Sequence, residues 1–161
     1  MPDPWGSELQ KYRNDVGDES APHIPTHITL LPPHEVADSE MDNVVAHLAL
    51  VAAGTQPFQV HLRGTGTFRP VTQVVFVAVA AGISACEQLA DDIRSGPLAR
   101  ELRYPYHPHV TVAHDVAPAA LDAVFDGLAS FEARFPVDSF TLYEHGPEHR
   151  WRPLRRFALT G

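Results

Sequence analysis

The stretch THITLLPP at residues 26–33 alternates a histidine, an aliphatic residue, a threonine and another aliphatic residue, and PHVTVAHD at 108–115 repeats the alternation. The histidine and threonine of each stretch are His27, Thr29, His109 and Thr111. Side chains two residues apart on a β-strand point to the same face, so each histidine is predicted to share a face with its threonine. Two such strands facing one another would give a cleft with two imidazoles and two hydroxyls.

This set of side chains is suited to the chemistry of a phosphate ester. Imidazole has an unperturbed pKa of about 6.5, so at neutral pH one histidine can accept a proton while the other donates one. The threonine hydroxyls can donate hydrogen bonds to the non-bridging oxygens as phosphorus passes through its five-coordinate state. The residues therefore indicate general acid–base catalysis without a metal ion.

The predicted elements occur in the same order in both halves of the chain: helix, histidine strand, helix, strand, strand. The first half has a helix capped by Asp3 and ending near Asn14, a strand at 27–31, a helix capped by Asp38 or Ser39, and a hairpin of strands at 57–68 and 73–80. The second half has a helix at 84–95 that opens with a capping box at 84–87, the His109 strand, a helix from Pro118, and strands at 136–143 and 151–159. The segments PFQV (57–60) and RFPV (134–137) extend the repeat.

We therefore predict an α+β fold of two pseudo-symmetric lobes. Each lobe is expected to be a mostly antiparallel sheet with helices packed outside, and the active-site cleft is expected between the sheets. The whole chain, 1–161, is predicted to be a single bilobal domain whose second half starts near residue 73.

The two motifs, HITL at 27–30 and HVTV at 109–112, resemble the signature of the two-histidine (2H) phosphoesterase superfamily. The sequence around them is most similar to the bacterial 2'-5' RNA ligase-like proteins. The resemblance implies hydrolysis or transfer at 2',3'-cyclic phosphates or 2'-5' linkages of RNA ends and nucleotides, with no metal and no cofactor. It assigns acid–base roles to His27 and His109 and phosphate binding to Thr29 and Thr111.

One position departs from that family. Many members carry an arginine where this chain has His114, so a fixed charge is replaced by one that depends on pH, and Arg69 or Arg152 is expected to compensate. Phe68, beside Arg69, and Tyr143 lie at matching hairpin turns, where an aromatic ring could stack on a base and an arginine could hold a phosphate. An ordinary half-buried aromatic ring with a solvated arginine fits these positions equally well. The same alternatives hold for Tyr104 and Tyr106, whereas Trp5 and Trp151 are expected to be packing residues.

The overall charge and hydrophobicity limit which ligands the protein can bind and where in the cell it is expected. A formal net charge of −8 argues against an extended nucleic-acid groove and favours a small nucleotide or an RNA-end phosphate as the ligand. The longest apolar run, at 74–83, is too short to span a membrane, and the first residues resemble no export signal, so a cytoplasmic protein is expected. The single Cys86 is predicted to be buried, and His47, His61 and His149 are expected to be ordinary half-exposed surface residues.

Other interpretations of the histidines stay open. His107 and His114 could ligate a metal with Asp115, although no further ligand lies at short spacing. The histidine-triad nucleotide hydrolases have a third alternating histidine where this chain has Thr111. An enzyme on this fold could instead act on a non-RNA phosphoester such as a nucleotide-derived cyclic phosphate, or the protein could bind a nucleotide without turnover.

The repeat also predicts an unequal number of strands in the two lobes. The strand at 73–80 precedes the helix of the second half, but the corresponding first helix follows only MPDPWG, where related proteins typically carry a short aliphatic strand. The sheet of the first lobe is therefore expected to lack one strand. This would leave a backbone edge near His27 that is unpaired, covered by another segment, or available for self-association.

Overall fold

The computed structural model describes residues 1–147 and 150–161, so His149 lies outside the described residues. Within them the chain forms four α-helices and six β-strands. In chain order these are α1 (Trp5–Asp15), α2 (Met41–Gly54), β1 (Phe58–Thr67), β2 (Val74–Ala81), α3 (Ile83–Ile93), β3 (His109–His114), α4 (Pro118–Gly127), β4 (Glu132–Val137), β5 (Ser139–His145) and β6 (Trp151–Ala158).

The strands form two antiparallel sheets, which confirms the predicted α+β class. The larger sheet has the order β3-β2-β1-β4, and the smaller sheet is the hairpin β5-β6. One face of the larger sheet packs against three helices through Leu9 of α1, Cys86 of α3 and Leu121 of α4. The smaller sheet packs on α2, where Leu48 belongs to the same core cluster as Phe157. The other face of the larger sheet is left free of these helices and is called the open face below.

Pairing between the halves joins equivalent positions. Ile28 forms an isolated antiparallel bridge with Val110, and each of them directly follows the histidine of its own motif. Gln59 pairs with Pro136, and these are the third residues of the matching segments at 57–60 and 134–137. A two-fold axis between the halves would produce this relation. The extent of the single domain and its division near residue 73 stay predictions, as does self-association at an edge.

The His27 segment is less regular than the sequence indicates. The alternation predicts a strand at 27–31, but among the described residues only Ile28 forms a bridge there. Prolines at 25, 32 and 33 flank the segment and have no N–H to donate to a ladder. The short extended stretch is therefore held at one point, against β3.

The expected helix caps are wrong at three helices. The N-cap position of α1 is Pro4 rather than Asp3, whose carboxylate accepts a hydrogen bond from the Ser7 hydroxyl. Neither Asp38 nor Ser39 caps α2; they lie in a short 3-10 turn before it.

The third helix, α3, begins at Ile83, so the expected capping box lies inside it. Its N-cap is Gly82, with φ 91°. A Cβ on Gly82 would lie 2.5 Å from the carbonyl oxygen of Gln59. A glycine is therefore needed where β2 turns into α3.

The strand expected at 136–143 is two strands. β4 and β5 are separated at Asp138, and they belong to different sheets. The sequence pattern runs through this break because Phe135 and Val137 continue an apolar alternation up to the point where the chain changes sheets. This break carries the chain from the larger sheet to the smaller one.

Candidate active site

The bridge between Ile28 and Val110 fixes the arrangement of the two motifs. Val110 is fully buried, and Ile28 packs against the same core, so both point away from the open face. The neighbouring histidines and threonines therefore point to the open face together. In the antiparallel register His27 lies opposite Thr111, and Thr29 lies opposite His109.

The two imidazoles consequently lie on a diagonal of this strand pair. Diagonal positions across an antiparallel pair are about 7–8 Å apart, which is room for one phosphate group between the two rings. The histidines are close enough for His109 to lower the pKa of His27 electrostatically, as one of several smaller effects beside the dominant burial. The geometry thus brings all four motif residues to one place.

The two imidazoles are held in the same way. Nδ1 of His27 lies 2.7 Å from the carbonyl oxygen of Pro25, and Nδ1 of His109 lies 2.6 Å from that of His107. Because a carbonyl oxygen only accepts, each Nδ1 carries the proton. The basic nitrogen is therefore Nε2 in each ring, and in His27 it lies 3.0 Å from the Thr29 hydroxyl.

Both histidines favour the neutral form. Burial lowers the pKa of His27 below its ordinary value of 6.5, the hydrogen bond to Pro25 opposes this, and the charge of Arg13 adds to it. Burial likewise lowers the pKa of His109, against the hydrogen bond to His107. A bound anionic phosphate would have the opposite effect and favour a proton on one of the rings.

Aromatic rings surround His109. The Phe68 ring meets it edge-on at 4.9 Å between centroids, and Phe76 lies at 5.1 Å and His107 at 5.8 Å. Phe76 pairs with Thr111 across β2 and β3, which places it on the open face. Phe68 is a predicted substrate contact, whereas sequence reasoning missed Phe76 and His107 as ring neighbours of His109. The alternation in VVFVAVA shows that Phe76 points opposite to its valine neighbours, but not which strand it pairs with.

A second aromatic pair lies beside His27. The Trp151 ring is 4.8 Å from the His27 ring, and Tyr143 is 5.8 Å from Trp151. The Trp151 backbone also donates a hydrogen bond to the carbonyl oxygen of His23, at 3.0 Å. Trp151 is expected to be a packing residue, and its half-buried ring lies next to His27. Tyr143, a predicted contact, reaches His27 through this tryptophan.

The two arginines expected to compensate at the site already have carboxylate partners. Arg69 donates to Asp122 at 2.7 Å and to the Thr67 hydroxyl, and Arg152 forms an ion pair with Glu144 at 2.9 Å. A phosphate would have to compete with these partners.

A β-bulge decides where His114 points. Phe76 pairs with Thr111 and Val75 with Ala113, which leaves Val112 as the extra residue on β3. Val112 and Ala113 are both fully buried, so His114 turns back to the open face shared by Thr111. Its Nε2 lies 3.2 Å from a carboxylate oxygen of Asp115.

Helix α1 fixes the loop that leads to His27. Arg13 is 3% exposed and donates to Asp18 at 3.0 Å and to the carbonyl oxygen of Ile24 at 2.8 Å. The Gln10 amide accepts two hydrogen bonds from Thr26, from its backbone N–H and its hydroxyl. This network is not evident from the sequence pattern, because its partners are brought together by the loop at 18–26.

Several other expectations concern residues outside this site. Tyr104 and Tyr106 line a surface groove of about 550 Å³ beside α3, on the helix-covered side of the larger sheet. Trp5 packs against the core, as expected. Cys86 is buried, as predicted, and burial raises its pKa to about 11.

His47 and His61 are half-buried, in agreement with the half-exposed surface positions expected for them. His47 lies with Nε2 3.1 Å from the carbonyl oxygen of Ile93, and His61 lies with Nε2 2.8 Å from a carboxylate oxygen of Glu132. Both side chains are held by other elements of the fold, which the sequence pattern does not indicate.

Neither a metal cluster nor a membrane span is found among the described residues. Within residues 1–147 and 150–161, no group of three or more His, Cys, Asp or Glu side chains is arranged to hold a metal ion. In the same part of the chain, no helix has the length and apolar character needed to cross a membrane.

The fold and this site define a class of protein. Residues 1–148 match the family model described as the 2'-5' RNA ligase superfamily. The chain belongs to this superfamily of 2H phosphoesterases.

Individual relatives agree with this assignment. A protein of Bacillus thuringiensis (strain Al Hakam), provisionally named a phosphoesterase, is 28% identical over 156 residues, covering 94% of this chain and 90% of the relative. Escherichia coli LigT complexed with NADP+ superposes with a TM-score of 0.69 at 26% identity, covering 96% of this chain and 93% of LigT. A Thermus thermophilus protein has the same fold, with a TM-score of 0.67 at 23% identity, covering 100% of this chain and 94% of that protein. The Bacillus and LigT similarities support a phosphoesterase role.

Proposed function

We propose that the protein is a cytoplasmic, metal-independent phosphoesterase that hydrolyses, or reversibly transfers at, 2',3'-cyclic phosphates or 2'-5' linkages of RNA ends or nucleotides. The observation that carries the proposal is the Ile28–Val110 bridge, which brings His27, Thr29, His109 and Thr111 to one face. Two imidazoles related in this way are suited to act on opposite sides of a single phosphorus atom.

In the proposed hydrolysis of a cyclic phosphate, one histidine accepts a proton from water through Nε2 while the water oxygen attacks phosphorus. The bond from phosphorus to one ribose oxygen breaks, and the other histidine, protonated in the substrate complex, donates its proton to that oxygen. The threonine hydroxyls donate hydrogen bonds to the non-bridging oxygens. The position of the phosphate in the product, 2' or 3', assigns base and acid to the two histidines.

The aromatic rings around the histidines favour a nucleotide substrate. Phe68 lies beside His109 and Trp151 beside His27, and both rings are half-buried, so a base next to the reacting phosphate has rings to stack on. LigT has been solved in complex with 3'-AMP and with ATP, which supports a small nucleotide as the ligand of this chain also.

A second candidate is a phosphodiesterase that acts on a nucleotide-derived cyclic phosphate outside RNA. The net charge of −8 favours it, because an acidic surface repels a long polyanion more than a small nucleotide. A nucleotide-binding protein without turnover is the remaining possibility. Binding alone gives no reason for two acid–base groups in this inverted arrangement.

The test is to incubate the purified protein with EDTA and a panel of 2',3'-cyclic nucleotides, 2'-5' dinucleotides and capped RNA ends, and to identify the products by mass spectrometry. The proposal expects a linear nucleotide monophosphate from at least one substrate in the presence of EDTA. Loss of turnover with EDTA and recovery with zinc would contradict metal independence. Tight nucleotide binding without product would favour the binding protein.

A further inference from the structure

The open face of the larger sheet carries a second group of polar residues, away from the motifs. Strands β1 and β4 pair in unbroken register from Phe58–Val137 to Arg63–Glu132. The pair next to Arg63–Glu132 is Leu62–Ala133. Leu62 is 0% exposed and Ala133 is 3% exposed, and both face the core. Arg63 and Glu132 therefore point to the open face, the same face as His109.

Arg63 lies in the same row across the sheet as His109. His109 pairs with Ala78 on β2. On the other side of β2, Val77 and Val79 pair with Thr65 and Leu62, so Ala78 lies opposite the stretch 63–64 of β1. The row therefore runs from His109 over Ala78 to Arg63. Two interstrand spacings separate the backbone of His109 from that of Arg63, a distance of about 10 Å.

The residue between them leaves this row open. Ala78 carries a single methyl group, and the ring of Phe76 lies two residues further along β2, over Gly66. A molecule whose phosphate lies beside His109 would pass over this methyl group on the way to Arg63.

The Arg63 guanidinium is available for a ligand. It is exposed, and its side chain forms no hydrogen bond or ion pair with any residue in 1–147 or 150–161. The facing carboxylate, Glu132, instead accepts from His61 at 2.8 Å and from Arg134 at 2.9 Å. Arg69 and Arg152, by contrast, are engaged by carboxylates.

We propose that Arg63 binds a second phosphate of the substrate, about 10 Å across the sheet from the reacting phosphate. An arginine is suited to this role because its planar fork can donate two parallel hydrogen bonds to phosphate oxygens. The inference rests on the proposed phosphoesterase function and narrows its substrate class: nucleotides with a phosphate beyond the one that reacts. That phosphate is either the 5'-phosphate of a single nucleotide or the next phosphodiester of an RNA end.

The experiment compares kcat/KM for adenosine 2',3'-cyclic phosphate, the same nucleotide with a 5'-phosphate, and an adenosine dinucleotide ending in a 2',3'-cyclic phosphate. The wild-type protein is expected to prefer one or both of the substrates with a second phosphate by about 10-fold, on the scale of one charged hydrogen-bonding pair. The substrate that shows the preference identifies the source of the phosphate. In Arg63→Gln the ratio should fall toward one, and Arg63→Lys should retain part of it.

Arg100→Gln is the matched control, since Arg100 is an exposed arginine beside Pro97 and Leu98, outside the open face. It should leave the ratio unchanged. Equal kcat/KM for all three substrates, or a substrate preference retained in Arg63→Gln, would overturn the role of Arg63 and leave the proposed phosphoesterase function standing.

Binding measured by calorimetry separates failure of the Arg63 proposal from failure of the proposed function. Adenosine 3',5'-bisphosphate is expected to bind more tightly than adenosine 3'-phosphate, and the difference should be lost in Arg63→Gln. Absence of turnover with all three cyclic substrates would contradict the proposed function, whereas equal affinities for the two adenosine phosphates would contradict the Arg63 site.

Discussion

Thr29 lies directly opposite His109, and His27 lies opposite Thr111, because the two motifs run antiparallel around the Ile28–Val110 bridge. Each histidine therefore has a hydroxyl from the other motif across from it as well as one from its own motif. A phosphate between the rings would be met by one imidazole and one hydroxyl from each side.

Replacing either histidine with alanine should reduce kcat by roughly 100-fold or more on a confirmed substrate, the usual scale for one acid–base group. The double variant should lose little beyond the single ones, because both groups serve one reaction step. His34→Ala is a suitable control, since His34 lies beside Glu35 and Pro97, outside the open face. Near-wild-type rates in both single variants, with unchanged circular dichroism, would remove the catalytic role.

The pH profile of kcat/KM should be bell-shaped, with its maximum displaced to the acid side. The free protein must have one neutral and one protonated imidazole, and burial lowers the pKa of both His27 and His109 below 6.5. The protonated form is thus lost as pH rises through these lowered values, so kcat/KM should already be falling at about pH 6.5 and should continue to fall above it. An optimum above about pH 7 would show that the acid is another group.

The same lowered pKa values predict an acid-sensitive fold. The unfolded chain binds protons at both histidines below about pH 6.5, while the folded chain binds them only at lower pH, so stability is full above that value and falls as the pH drops below it. Thermal unfolding of the wild type and of His27→Gln/His109→Gln at about pH 7.5 and about pH 5.5, on either side of the unperturbed histidine pKa, tests the sign. The wild type should lose more stability between the two pH values than the double variant does.

The motif residues could be predicted from the sequence because alternation along a strand is local. The direction of Thr29 relative to His27 needs only the period of two. Trp151, by contrast, reaches His27 from a distant strand, and the contact depends on how β6 lies against the loop at His23. Pattern alone does not specify such a contact.

The sequence pattern also fails to give the boundaries of some strands and helices. The break at Asp138, where β4 passes into β5, follows an apolar alternation that is typical of one strand. The start of α3 depends on the close approach of Gly82 to the Gln59 carbonyl on a neighbouring strand, and no signal in SACE indicates it. The fold class was predictable because helix and strand periods are strong over most elements, whereas these boundaries are set by tertiary contacts.

Breaking the Arg13–Asp18 pair should destabilise the protein and disorder the approach to His27. Both side chains are almost fully buried, so Asp18→Ala leaves an uncompensated guanidinium, a change that costs about 3–5 kcal/mol. Denaturant unfolding measures the loss. Lys11→Ala, which breaks an exposed ion pair with Asp15 on the same helix, is the control and should leave stability nearly unchanged. Similar losses in the two variants would contradict a structural role for the buried pair.

Gly66→Ala should disturb the aromatic wall beside His109 without touching either motif. A Cβ at Gly66 would lie 2.5 Å from two atoms of the Phe76 ring, which is itself only 5% exposed, so the ring or strand β1 must move. Overpacking of this kind costs about 1–3 kcal/mol, and the shifted ring would change the surroundings of His109, whose ring centroid lies 5.1 Å from that of Phe76. Replacing the ring with a smaller side chain should relieve the clash, so Gly66→Ala/Phe76→Leu should be less destabilised than the sum of its single changes. Denaturant unfolding of the four proteins gives this coupling energy, and additive losses would show that the ring does not depend on the glycine.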